Sequence, residues 1–148
     1  MFVRCVLILF LALSAVTRAA EARILKVLPH LLDARGRNTL APSLYERDAY
    51  QALLRSNPDL ISALRFDVQY KSDSRQPLVF RLEIRGTKMP RSQIRTFETD
   101  LQPRRFFSSW GQLHLNKQIY EEIGPILAWR ATLRRDGAIL AVQESFLW

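Results

Sequence analysis

The chain has 148 residues, with 22 basic and 14 acidic side chains, a net charge of +8 and one cysteine, Cys5. A single cysteine excludes a disulfide-stapled scaffold, so stability has to come from apolar burial. Five glycines and two histidines leave little material for a phosphate-cradling loop or a histidine-rich metal site.

The chain opens with Arg4, an apolar run from Cys5 to Val16, and then Thr17-Arg18-Ala19-Ala20-Glu21-Ala22. A basic start, an apolar run of roughly 12 residues and a small-residue exit form the secretory signal pattern. Ala20-Glu21-Ala22 fits the cleavage rule, which makes residues 1–22 a signal peptide and 23–148 a single domain. Thr17-Arg18-Ala19 is the second choice of site. The competing reading is a retained anchor, but a spanning helix wants about 20 apolar residues. Cleavage removes Arg4, Arg18, Glu21 and Cys5, and the remainder keeps a net charge of +7. Export without cysteine suits the periplasm or cell envelope of a bacterium, with no transmembrane span left after cleavage.

Ile24 to Leu28 is apolar and β-prone, and Pro29 makes it an edge strand or one that ends or bends there. His30 to Asp33 resumes it, and Ala34 to Asn38 is a polar turn. Ser43 followed three residues later by Glu46 has the form of a capping box. It opens a helix whose apolar face is Tyr45, Ala49, Tyr50, Leu53 and Leu54, and Asn57-Pro58 closes it. Leu64 to Lys71 alternates without a fault, apolar on even positions, and so does Leu78 to Arg85 apart from Val79. Such alternation marks strands with one buried and one wet face. Ile94 to Leu101 is a weaker strand at an edge. Trp110 to Leu115 is a short strand with Leu113 and Leu115 inward. Asn116 caps a helical turn through Ile119, Tyr120 and Ile123, and Gly124-Pro125 breaks it.

The strongest short-range signal is Asp136-Gly137 between Ile126–Arg134 and Ala138–Trp148. Both central residues of a type I′ turn need positive φ, which suits Asp-Gly. A regular two-residue hairpin sets Leu133 opposite Leu140, Ala131 opposite Val142, Trp129 opposite Glu144 and Leu127 opposite Phe146. Trp129 and Phe146 then share a dry interior, and Glu144 points into it.

About seven short strands with a turn between each pair argue for a mostly β, two-sheet sandwich. Its strand order, with a helical corner just before Trp129, resembles an immunoglobulin or fibronectin type III sandwich: seven antiparallel strands with one short helix after the first. The alternative is an antiparallel meander or small barrel in which residues 64–71 and 78–85 pair directly. That pairing sets Arg65 opposite Glu83 and Asp67 opposite Arg81, which is mildly favourable. Separately, Leu28-Pro29-His30, the stretch from Pro42 to Gln51 and the closing Ser145-Phe146-Leu147-Trp148 are similar to a family of short exported bacterial proteins of unknown function. The likeness implies export and no particular activity.

No nucleophile stands beside an oriented base in any recognised motif, and His30 and His114 lie in separate elements and read as surface residues. No catalytic residue, cofactor or metal site is assigned. Glu144 is the odd residue: either a general acid with a raised pKa, or a carboxylate that a bulge or sheet rim lets out to water. The remaining candidate is the basic middle third, Arg81, Arg85, Lys88, Arg91, Arg95, Arg104 and Arg105, with Phe106 adjoining. Such charge favours anionic partners. Export points away from nucleic acid and towards an envelope polymer, an anionic lipid headgroup or an acidic protein. The expected function is therefore a non-catalytic interaction or structural module of the envelope, or a binder of an anionic envelope component.

Overall fold

The computed structural model describes residues 21–148, so the expected signal segment, but for Glu21 and Ala22, lies outside the described residues. The two faultless alternating runs become β2 (Ala63–Ser72) and β3 (Leu78–Gly86). Their even-numbered apolar side chains all point inward and are at most 2 % exposed, from Leu64, Phe66, Val68 and Tyr70 to Leu78, Phe80, Leu82 and Ile84. The two strands belong to different sheets. β2 lies between β1 (Ala22–Leu32) and β5 (Ser108–Asn116), while β3 lies between β4 (Arg95–Leu101) and β6 (Ile126–Arg135), with β7 (Ala138–Glu144) outside β6.

Every pairing between these strands is antiparallel, so the described residues form a seven-stranded, mostly β sandwich of one three-stranded and one four-stranded sheet. The meander or barrel would have paired β2 with β3. Instead Phe66 stands opposite Pro29 and Leu113, and Phe80 opposite Thr99 and Leu133. The charge matches that favoured the hairpin are absent: Asp67 is bound by Arg65 of its own strand, and Glu83 by Arg130. Both carboxylates found a cation within their own sheet.

Asp136 and Gly137 have φ values of 48° and 81°, as a primed turn between β6 and β7 requires. The register beyond the turn differs from the expected one. Arg134 pairs with Ile139, but Leu133 pairs with Ala141, so Leu140 is the extra residue of a bulge. Because side chains alternate with period 2, that one residue turns the rest of β7 over. Gln143 rather than Val142 stands opposite Ala131, and Glu144 stands opposite Arg130 on the outer face. Glu144 therefore reaches water through a bulge. Phe146 is fully exposed instead of buried, whereas Trp129 is half-buried and meets Phe66 edge-on, with ring centroids 6.3 Å apart.

β1 runs through Pro29 without ending there, since an edge strand can spare one N–H. Its outer edge is covered by α1 (Leu44–Ser56). The Gln51 amide accepts from Leu31 N at 2.8 Å and donates to Leu31 O at 2.9 Å and to Asn38 O at 2.9 Å, replacing the missing neighbouring strand. Ser43 caps the helix by accepting from Glu46 N, as expected. The buried stripe is different: Gln51 and Leu54 face inward, while Tyr45 and Leu53 are exposed. A glutamine amide that can bond a strand edge occupied the inner face in place of a tyrosine.

α2 (Lys117–Ile123) is capped by Asn116, whose side chain accepts from Ile119 N, and Gly124 ends it with φ 75°. At Gly86 the backbone of Ile123 passes so close that no Cβ would fit, and Lys88 N donates to Ile123 O there. Gly111 leaves room on β5 for the Leu101 side chain of the opposite sheet.

Two substitutions separate the observed interior from the expected one. Phe66→Ala is expected to cost about 3–5 kcal/mol, as for a fully buried aromatic, whereas Phe146→Ala should change stability by less than about 0.5 kcal/mol. Urea unfolding followed by far-UV circular dichroism measures both. A large loss at Phe146 would contradict the observed register.

Candidate functional site

The buried ionisable groups hold backbone and one another. Asp33, just after β1, accepts from the amides of Arg35 and Arg37 at 2.8 and 2.9 Å, from Arg37 Nε at 2.8 Å and from the Tyr50 hydroxyl at 2.7 Å. Burial by itself would raise its pKa. The Arg37 amide, the Tyr50 hydroxyl, the Arg37 guanidinium and the Arg35 amide outweigh that and hold the carboxyl well below the usual carboxylate range. The polar turn at 34–38 is thus organised by one aspartate and tied to α1 through Tyr50.

His30 is the clearest departure from expectation. It lies on the outer face of the three-stranded sheet, where a histidine would meet water, yet it is only 6 % exposed. Its Nε2 is 3.4 Å from Asp67 Oδ2, and Arg65 Nε is 2.9 Å from Asp67 Oδ1. Burial lowers the imidazole pKa, Asp67 offsets part of this, and Arg65 and Arg47 lower it further. His114 is exposed, as expected, in the same cross-strand row beyond Arg65.

The expected basic set is divided among three places. Arg81 lies on the outer face of the four-stranded sheet, 3.7 Å from Glu83 and 3.6 Å from Glu98. Arg130 joins it through a 2.7 Å bond from Nε to Glu83 Oε2, and the same guanidinium is 3.9 Å from Glu144. That bond lowers the Glu83 pKa against the opposing effect of burial, and the charges of Arg130 and Arg81 add to the lowering. Arg85 and Arg130 both stack on the ring of Trp148, at 4.5 and 4.8 Å, so the C-terminal residue is fastened to this face. Arg95 pairs with Glu122, and Lys88 donates to the Glu121 carbonyl. Arg91 is exposed in the β3–β4 loop. Of the five expected cations here, Arg81 and Arg95 lie at carboxylates.

Arg104, Arg105 and Phe106 are elsewhere, in the loop that leads into β5 at one end of the three-stranded sheet. There the register assembles a charged surface that no single stretch of sequence displays. Arg23 stands directly opposite Lys71, which stands opposite Ser108; in the next row Lys26 stands opposite Gln69, and Gln69 opposite Trp110. All share the outer face, because the intervening Ile24, Tyr70 and Val68 are turned to the core. Arg75 follows in the β2–β3 loop. Like charges directly opposite are destabilising, and none of Arg23, Lys26, Lys71, Arg75 and Arg104 has an ion pair with another described residue. The nearby carboxylates are Glu21, which pairs with Arg135 at 3.5 Å, and Asp73. Lys71 and Gln69 share a face by the period of β2, but Arg23 and Lys26 are three apart and share one only through the bulge at Leu25, and the pairing of the strands joins the two halves.

A groove of about 700 Å³ opens at the opposite end of the core, floored by Leu31, Ile61, Leu64, Tyr120 and Ile126 and rimmed by Arg55 and Lys117. Among the described residues no cluster of histidine, cysteine, aspartate and glutamate has the makings of a metal site.

No family model and no curated protein matches the chain. A crystal structure from Akkermansia muciniphila is similar to it, with a TM-score of 0.52 and 11 % identity over 84 % of this chain and 70 % of that one. The β-D-glucoside glucohydrolase from Trichoderma reesei matches with a TM-score of 0.37 and 10 % identity, over 85 % of this chain but 18 % of that one. The first likeness concerns the fold alone, and the second is too weak to bear on it.

The lowered pKa values of His30 and Asp33 set a pH dependence, and that of Glu83 acts in the same sense as Asp33. A group whose folded pKa lies below its unfolded value stabilises the fold above the unfolded pKa and stops doing so as pH falls. Stability should therefore fall first below about pH 6.5, as His30 becomes the proton acceptor on unfolding, and again below about pH 4 as Asp33 does. In urea titrations, Asp33→Asn should be less stable than the wild type at pH 7, and the gap should narrow as pH drops from about 5 to about 2. A gap that stays constant would show that the Asp33 charge contributes nothing.

Proposed function

We propose that this chain is an exported, non-catalytic β-sandwich module of the bacterial envelope, related to the short exported bacterial proteins that its wording resembles. The order β1-β2-β5 opposite β4-β3-β6-β7 supports an immunoglobulin- or fibronectin type III-like reading of the sandwich. The module acts by surface contact with an anionic envelope component. One observation carries this reading: Arg23 and Lys71 face each other across two strands with no carboxylate between them. A protein that needed only solubility could space these charges among its acids, as it does on the other sheet. The buried His30, Asp33, Asp67 and Glu83, the groups from which a reaction centre would be built, are occupied in bonds that hold the sandwich together.

The first strand bears on processing. Ala22 is buried, pairs with Ser72, and is preceded by Glu21, whose carbonyl accepts from Asp73 N. Cleavage after Ala22 would remove this end of β1, whereas cleavage after Ala19 leaves it whole. The mature protein is therefore expected to begin at Ala20. Fractionation of the producing cells followed by intact mass spectrometry tests both points. A chain starting at Arg23 would overturn the cleavage site, and an unprocessed cytoplasmic chain would overturn export.

A further inference from the structure

We propose that the β4–β5 loop end of the three-stranded sheet docks on a bilayer rich in anionic phospholipid, with Phe106, Phe107 and Trp110 entering the headgroup layer. The proposal rests on the exported, surface-acting reading above and names the partner. Phe106, Phe107 and Trp110 are 60, 72 and 53 % exposed within five consecutive residues. Phe106 also has φ 68°, a left-handed conformation that costs a bulky side chain energy and that glycine would adopt freely.

The loop holds this conformation firmly. Phe106 N donates to Ser72 O, Phe107 N to Arg104 O, and Arg104 N to Ser109 Oγ, so the backbone is tied down while both rings stay outside. Arg105 stacks on the Phe106 ring at 4.5 Å, covering one face of it with a cation. Around the aromatics stand Arg23, Lys26, Lys71, Arg75, Arg104 and Arg105, against Glu21 and Asp73.

The choice of partner follows from the side chains. A phenyl ring has no polar atom with which to bind a hydrated polyanion, but it gains free energy on leaving water for the acyl boundary. The tryptophan indole, apolar with one N–H, suits the interface itself. Clustered lysine and arginine are drawn to the negative surface of phosphatidylglycerol-type lipids, each adding to the attraction. Trp110 stands two strands from Lys26, about 10 Å away, on the same outer face.

The test is sedimentation of the mature protein with vesicles of equimolar phosphatidylglycerol and phosphatidylcholine, with pure phosphatidylcholine vesicles and soluble poly-glutamate as the other arms. The wild type should partition onto the anionic vesicles at low salt and leave them as salt rises. Lys26→Glu with Lys71→Glu, and separately Phe106→Ala with Phe107→Ala, should each weaken partition by at least about tenfold. Arg81→Glu should leave it unchanged. Brominated lipid should quench the wild type, and Trp110→Phe should remove most of that quenching while circular dichroism remains native. Partition that ignores the phenylalanines, or bound protein unquenched by brominated lipid, would overturn the bilayer. Retention of poly-glutamate without partition to vesicles would overturn it too and leave the anionic-partner reading standing. Retention by neither would overturn both.

Discussion

The structure depends on the inward row of β2 meeting the inward rows of β3 and β6 across the sandwich. Phe66 and Phe80 are wholly buried, and Trp129 closes over Phe66 edge-on. Without a disulfide among the described residues, apolar burial is the main fastening between the two sheets, and the remaining elements extend this contact or protect its margins. Gly111 admits Leu101 between the sheets, and Gly86 lets the end of α2 lie against the end of β3. Leu54 brings α1 into the same interior while Gln51 satisfies the exposed edge of β1.

The two outer faces treat charge in opposite ways. On the four-stranded sheet, Arg81, Arg130 and Arg134 alternate in space with Glu83, Glu98 and Glu144, and each guanidinium lies within ion-pair distance of a carboxylate. On the three-stranded sheet Asp67 holds Arg65, whose Nη2 donates to Oδ2 at 2.9 Å, and lies 3.4 Å from His30, and this set is confined to one end. The other end is cationic and aromatic, and its Arg23, Lys26 and Lys71 have no ion pair with another described residue. Exposed ion pairs add little to stability, so the difference bears little on how firmly the fold is held.

The β7 bulge shows how one residue controls chemistry. A regular hairpin would have placed the Glu144 carboxylate beside Trp129 in a dry interior, where it would need a proton or a partner. The extra residue at Leu140 moves it to Arg130 at the surface. It also turns Phe146 outward and leaves Trp148 to fold back over Arg85 and Arg130.

What the sequence determined by itself was local and periodic. Period-2 alternation marked β2 and β3, Asp136-Gly137 marked the primed turn, Ser43 and Asn116 marked the helix starts, and the proline and glycine pairs marked the ends. Each depends on φ, ψ or side-chain direction within a few residues, which the chain carries with it. The tertiary structure alone decided which sheet each strand joined, where the bulge fell, that His30 would be buried, and that Arg23, Lys26, Lys71 and Trp110 would share a face. Those outcomes depend on burial summed over distant segments. Two wet-face residues become neighbours only once the dry faces beneath them have chosen a register.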